Sequence, residues 1–241
     1  MQRYWLIAIH FELTDQFLDA KGNQNVMRKL ENQIKGYLRP VIDQYCPRSL
    51  IVLRGNKLLI FVHFEKLPER DQAREKAKST AAALRDIILQ EFTGIRISIG
   101  IGEFYPSPLD LCKSYREAIQ AIDIGDKVYG YGHITAYHEL GVYGILGQVN
   151  KDIIGGVSLA LLERLLQYDS ENHTDLVKTL EIYLDEKESF SAAAKRLFVH
   201  PNTVKYRIDK VRDILGFDLF EHPEQRLNFH LTLKMRRLLI F

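Results

Sequence analysis

The chain lacks most of what marks a specialised scaffold. Its 241 residues contain two cysteines, Cys46 and Cys112, and no CxxC pair. That excludes a disulfide-stapled or zinc-ribbon framework. Reduced structural thiols in a cytosol are the expectation, with a distant disulfide or a redox role as the alternatives. Stretches free of Asp, Glu, Lys and Arg, such as Leu140–Asn150 and Ile153–Leu162, fall short of the roughly 18–20 residues that span a bilayer. No membrane partner is expected. No charged leader with a cleavage site precedes Tyr4-Trp5-Leu6-Ile7, and the chain opens almost directly on an apparent strand. Charge of one sign is lacking too: 33 Lys and Arg against 31 Asp and Glu leave a net +2. Only a local concentration of cations can then point to a polyanionic partner. There is no internal repeat and no low-complexity tract.

What remains is ordinary. With 46% hydrophobic and 27% charged residues, disorder is not expected, and the length fits one or two domains. Tyr4–Glu12 is a buried strand by its unbroken apolar run. Asn25–Tyr45 places Val26, Leu30, Ile34, Leu38 and Ile42 at steps of four, a helix. Ser49–Arg54 and Lys57–Phe64 flank Gly55-Asn56, a dipeptide that tolerates the positive φ of a hairpin turn. Asp71–Phe92 is a second helix, Ile95–Gly102 a β-branched strand, Leu109–Ile124 a third helix and Ile134–Tyr137 a last short strand. The order β-α-β-β-α-β-α-β predicts a ferredoxin-like sheet with helices on one face.

The second half changes character. Leu140–Asp169 is mostly apolar and helical, with breaks at Gly144, Gly147 and Gly155-Gly156, and Ser170–His173 is a polar linker. Thr174–Glu186 leads a helical group whose centre is SAAAKRLFVHPNTVKYRIDKVRDILG, Ser191–Gly216. A first helix runs from a serine N-cap at Ser191 to Phe198, a turn follows at Val199-His200, and Pro201 opens a second helix at a position that needs no N–H. Gly216 is its expected C′ residue. Val204, Ile208, Val211 and Leu215 recur at steps of 4, 3 and 4, and Ala194 is small where the helices meet. Between Lys195 and Arg212 there are six Lys or Arg and one acid, Asp209, a local charge of +5. This is the footprint of a helix-turn-helix on phosphate. The bland alternative is an amphipathic hairpin with a solvated basic face. A closing helix, Arg226–Leu239, carries Arg226, Lys234, Arg236 and Arg237 without an acid.

The segments TLEIYL (Thr179–Leu184), AAKRLFVH (Ala193–His200), NTVKYRI (Asn202–Ile208) and EHPEQRLNFHLTLKMRRLL (Glu221–Leu239) resemble the C-terminal helix-turn-helix of the purine-catabolism-regulator/sugar-diacid-regulator (PucR/CdaR) family of bacterial transcription factors. That family usually has an arginine between the turn histidine and Asn-Thr. Pro201 stands there in this chain, so that DNA contact is not carried over. RGNKLLIF (Arg54–Phe61), ISIGIGE (Ile97–Glu103) and SYREAIQAIDIG (Ser114–Gly125) resemble the degenerate nucleotide-cyclase (GGDEF-like) domain of the same regulators, and YHELGVYGIL (Tyr137–Leu146) resembles its exit. The resemblance implies an α+β chain: a ferredoxin-like, GGDEF-like αβ domain over residues 1–147, a helical linker over 148–173, and an all-α helix-turn-helix domain over 174–241. It also implies that an N-terminal sensor domain is missing from this sequence.

Enzymatic chemistry finds little footing. A cyclase holds two Mg²⁺ with carboxylates, and the hairpin Arg54-Gly55-Asn56-Lys57-Leu58 has none. Glu12 and Asp15 are scattered acids. Gly100-Ile101-Gly102 lacks a third glycine and lies in a strand, where close backbone packing is the expectation. There is no GKS or GKT. His133 and His138 lack HExxH spacing. Ser107, Ser114 and Ser191 fit no nucleophile elbow. No catalytic residue, metal or cofactor is expected.

The reading is therefore a sequence-specific DNA-binding transcriptional regulator, expected as a homodimer on double-stranded DNA; the family resemblance implies control of a catabolic operon in response to a small-molecule effector. Lys195, Lys205, Lys210 and Arg212 are expected on phosphates, and Asn202, Thr203, Tyr206 and Arg207 on or beside bases. His200 either bonds a phosphate or caps the recognition helix. The rivals are a nucleotide-binding or cyclase-type enzyme and an interaction module that binds no DNA.

Overall fold

A computed structural model describes residues 3–13, 24–45, 47–54, 56–64, 69–92, 94–105, 107–148 and 157–239. The chain divides into two compact units, Met1–Gly147 and Gln148–Ile240.

The first unit is built on β1 (Arg3–Leu13). α1 (Gln24–Tyr45), β2 (Leu50–Arg54), β3 (Lys57–Phe64), α2 (Arg70–Glu91), β4 (Ile95–Ile101), α3 (Leu111–Tyr129) and β5 (Ile134–Ala136) follow in the order expected from periodicity. The sheet order is β2-β3-β1-β4-β5. β1 is antiparallel to β3 and to β4, with Ile7 opposite Ile60 on one side and Ile101 on the other. β5 adds in parallel to β4.

Helices cover both faces of this sheet, not one. Trp5, Ile7 and Ile9 pack with Leu38 and Ile42 of α1 and with Ala73, Ala77, Ala81, Leu84 and Ile88 of α2. Leu6, Ala8 and Leu59 face the other way, onto Ala118 and Ile122 of α3. The reason was present in β1 itself. Trp5 through Ile9 are five consecutive residues with no exposed surface, and a strand wet on one side would alternate. α3 can lie close because β4 carries glycines facing it. A Cβ on Gly100 would sit 1.9 Å from the Ala118 carbonyl oxygen, and one on Gly102 would sit 2.1 Å from that of Ser114. Close packing, as expected, accounts for Gly100 and Gly102. A short helix, α4 (Val142–Leu146), closes the unit, with Gly144 inside it rather than breaking it.

The second unit is helical: α5 (Val157–Asn172), α6 (Leu176–Asp185), α7 (Phe190–Leu197), α8 (Pro201–Leu215) and α9 (Pro223–Leu239). Leu162 and Leu165 of α5 lie in the same core as Leu180, Ala193, Val204 and Phe229. The polar Ser170–His173 stretch is no loose linker. α5 runs through Asn172, His173 turns the chain at φ 53°, and Asp169 caps the next helix, accepting from the Leu176 and Val177 amides at 2.7 and 2.9 Å. The Gly155-Gly156 break lies outside the described residues.

Candidate nucleic-acid interface

α7 and α8 form the helix-turn-helix. The N-cap of α7 is Ser189, whose hydroxyl accepts from the Ala192 amide at 3.3 Å, and not Ser191. Both serines satisfy the capping preference, so composition alone could not choose. Ala193 and Ala194 are buried against α8, where the absence of long side chains lets the helix axes approach. α8 turns Val204, Ile208 and Val211 fully inward, with Leu215 nearly so. The turn closes with the Val199 amide donating to the Ala194 carbonyl at 3.0 Å and the Phe198 amide to Lys195 at 3.4 Å. This is the paired-bond stop that usually has glycine at the position Phe198 holds.

His200 is the N-cap of α8. Its Nδ1 accepts from the Asn202 amide at 3.2 Å, which leaves Nε2 as the donor of this exposed ring. Capping and an outward donor are thus compatible in one imidazole. Pro201 occupies the first turn and Gly216 ends the helix at φ 80°, both as expected.

The nine candidate residues separate into two groups. Lys195, His200, Asn202, Lys205 and Tyr206 are exposed, Tyr206 by 69%. Apart from the His200 cap, their side chains make no hydrogen bond or ion pair among the described residues. Thr203 is half-buried beside them. The other three are engaged within the unit. Arg207 donates from Nη1 to Thr179 Oγ1 at 3.0 Å and has Nη2 3.6 Å from Asp175, leaving 22% of its side chain accessible. Arg212 donates to Asp209 at 2.8 Å, lies 3.1 Å from Asp218 and covers the Phe220 ring. Lys210 sits 5.5 Å from the Tyr168 ring centroid. Arg196 pairs with Glu186 at 3.0 Å. The local charge of +5 is therefore not all presented outward, because a count along the chain does not see the acids that flank α6, Asp175 and Glu186, or Asp218 in the turn after α8.

The basic face of α9 is similarly engaged. Arg226 reaches Glu188 at 2.7 Å, His230 and Lys234 reach Asp185 at 2.8 and 2.6 Å, and Arg237 reaches Glu181 at 2.7 Å. Burial acts to raise the Asp185 carboxyl. The hydrogen bonds from His230 and Lys234, with their charges, outweigh it and hold that carboxyl down to about 2. Thr179 and Asp175 were missed as supports of α8, and Asp185 as the anchor of α9. Only the threonine and acids of α6, read as partners for distant arginines, could have revealed them.

The first unit gathers its ionised groups differently. Glu103, just past β4, is 9% exposed and receives Arg70 at 2.9 Å and Arg74 at 3.0 Å, with His138 at 3.1 Å. Burial opposes its ionisation, but the two guanidiniums hold its carboxyl below the usual range. At the hairpin, Asn56 meets His10 at 2.6 Å. The Glu12 side chain and all of Asp15 lie outside the described residues. Among the described residues no group of three or more His, Cys, Asp and Glu is placed to hold a metal ion. No helix there is long and apolar enough to cross a membrane.

Comparison with known proteins agrees with this geometry. Residues 2–124 match the GGDEF-like domain family, and residues 176–235 match the PucR C-terminal helix-turn-helix domain family. The DNA-binding transcriptional activator AdeR of Bacillus subtilis is 26% identical over 218 residues, covering 90% of this chain and 50% of that protein. The proline-responsive transcriptional activator PutR of the same organism is 32% identical over 215 residues, 83% of this chain and 48% of its own. Its purine catabolism regulatory protein is 26% identical over 244 residues, 99% of this chain and 43% of its own. The chain thus spans about half the length of these relatives. With one match covering β1 through most of α3 and the other covering α6 through most of α9, the chain belongs to the PucR/CdaR family of regulators, which join a GGDEF-like domain to a PucR-type helix-turn-helix.

Proposed function

We propose that this chain binds double-stranded DNA through the N-terminal half of α8 and regulates transcription of a catabolic operon in the cytosol. The observation that supports this most is the set of unengaged polar groups at one helix end. His200, Asn202, Lys205 and Tyr206 stand outward while Val204 and Ile208 of the same turns are sealed in the core. An α8 N-terminus also presents the positive end of its helix dipole to phosphate.

In this reading Lys195 and Lys205 neutralise phosphates, and the Nε2 proton of His200 donates to one. Asn202 and Tyr206 reach base edges, with Thr203 beside them. Lys210 flanks the backbone. Arg207 and Arg212 hold α8 at its angle through Thr179, Asp175, Asp209 and Asp218. Arg207 is thus a positioning residue rather than a base reader. One helix-turn-helix covers few base pairs, so the active form is a homodimer on a two-fold site. The GGDEF-like unit relays an effector signal to it. The division of function is residues 1–147 for that unit and 174–241 for the DNA-binding part, with α5 packed in the core of the latter.

Anisotropy titration of the chain against genomic duplex fragments tests the reading. Retention of a subset of fragments at physiological salt is the expected result. Uniform weak binding, or none, would leave the interaction-module alternative. Turnover of GTP in the presence of Mg²⁺ would revive the enzyme alternative.

A further inference from the structure

Phe198 carries two independent costs at a single position. Its ring is 94% exposed, the most exposed of the large apolar side chains described. Its backbone is left-handed, φ 58° and ψ 41°, at the residue that ends α7, where glycine or asparagine is usual. The paired hydrogen bonds to Ala194 and Lys195 support the left-handed turn, but no described residue of the unit covers the ring. Phe198 is absent from the core against which Leu197 and Val199, on either side of it, pack. An apolar ring left in water on left-handed backbone, in the turn between the two helices of the motif, sets Phe198 apart from the other exposed apolar side chains described.

The surroundings say what would cover the ring. From Ser189 to Ile208 the chain has no acidic residue, the acids Glu186 and Asp175 that reach this stretch are paired with Arg196 and Arg207, and Lys195 and Lys205 flank the turn unengaged. A basic protein surface would be repelled there. A polyanion with apolar faces beside its charges fits, and the deoxyribose rims of a DNA groove are such faces. Resting on the DNA-binding reading above, we propose that Phe198 is a DNA contact, its ring packing on the sugars of the backbone beside the groove that α8 enters. The contact is sequence-independent and uncharged. It steadies the turn on the duplex while Asn202 and Tyr206 read bases.

The test uses the whole chain, a duplex selected by it from a random pool, and a mixed-sequence duplex. The variants are Phe198→Gly and Phe198→Asn, with Lys205→Ala for comparison. Burying part of a phenyl ring corresponds to about fivefold to tenfold in affinity. Both Phe198 variants are therefore expected to bind either duplex weaker by about that factor. They are expected to melt no lower than the parent, because glycine and asparagine accept left-handed backbone. Their salt dependence is expected to stay unchanged, whereas Lys205→Ala flattens it by about one counterion. Unchanged affinity in both variants overturns the proposal. So does a loss that tracks a lowered melting temperature, or a changed oligomeric state in sedimentation, which would assign the ring to a second copy. If the parent chain binds neither duplex, the DNA-binding reading fails instead.

Discussion

The two units dispose of their polar side chains in opposite ways. In the sheet unit the conspicuous ions converge on one buried carboxylate, Glu103, clamped by Arg70, Arg74 and His138. These pairs tie α2 and the segment after β5 to the end of β4. In the helical unit a comparable set of clamps ties α8 to α6, Arg207 on Thr179, and α9 to α6, Lys234 on Asp185, while the forward end of α8 leaves Asn202, Lys205 and Tyr206 unengaged. A functional surface is recognised less by how many charges it has than by which of them the fold has left without work.

The substitution expected to act most strongly on the sheet unit alone is Gly100→Ala. Its methyl would need the space of the Ala118 carbonyl, and a cost of about 3 kcal/mol or more is expected in denaturant titration. Ile208→Ala is the counterpart in the helical unit. Emptying this fully buried site is expected to cost about 3 kcal/mol, and DNA affinity should fall with it. If either substitution left its unit's stability intact, the packing described for that unit would be wrong.

Asp185→Asn sharpens the comparison on the electrostatic side. The carboxyl is depressed in the folded chain, so its contribution is complete above the unfolded value near 4 and is lost as pH falls from about 4 to about 2. Allowing for screening of a partly wet site, the variant should be less stable by about 1–2 kcal/mol at neutral pH. The gap to the parent should close at about pH 2. A gap constant across that range would remove Asp185 as the anchor of α9.

Arg207→Ala and Lys205→Ala then separate clamp from contact. Arg207→Ala should lower the melting temperature and weaken selected and mixed DNA alike. Selective loss of preference would restore it as a base reader. Lys205→Ala should leave melting unchanged, weaken all DNA by about 1 kcal/mol at most and reduce the salt slope by about one.

How much was legible beforehand follows from which forces act locally. The element order was readable because periodicity and turn chemistry are local, from the alternation of Ile95–Ile101 to the hairpin at Asn56. The core stripe of α8 was readable for the same reason. The second layer of helix was misjudged, although the unbroken run Trp5–Ile9 carried the signal. The candidate interface was half legible. Residue types named the helix and its outward end, but the partners of Arg207 and Arg212 arrive from Thr179, Asp175 and Asp218, whose nearness only the fold creates. Phe198 was read as the end of a helix. Its left-handed backbone had no local sequence signal, since phenylalanine is not the residue that geometry prefers.

The central claim is that the forward end of α8 discriminates between DNA sequences. Competition anisotropy, with a duplex selected by the chain set against its scrambled version, measures this directly in the parent and in Asn202→Ala. The parent should favour the selected duplex by at least about tenfold, and Asn202→Ala should lose much of that preference while keeping its affinity for the scrambled one. Equal affinity for both duplexes in the parent, or full preference surviving in Asn202→Ala together with Tyr206→Ala, would contradict it.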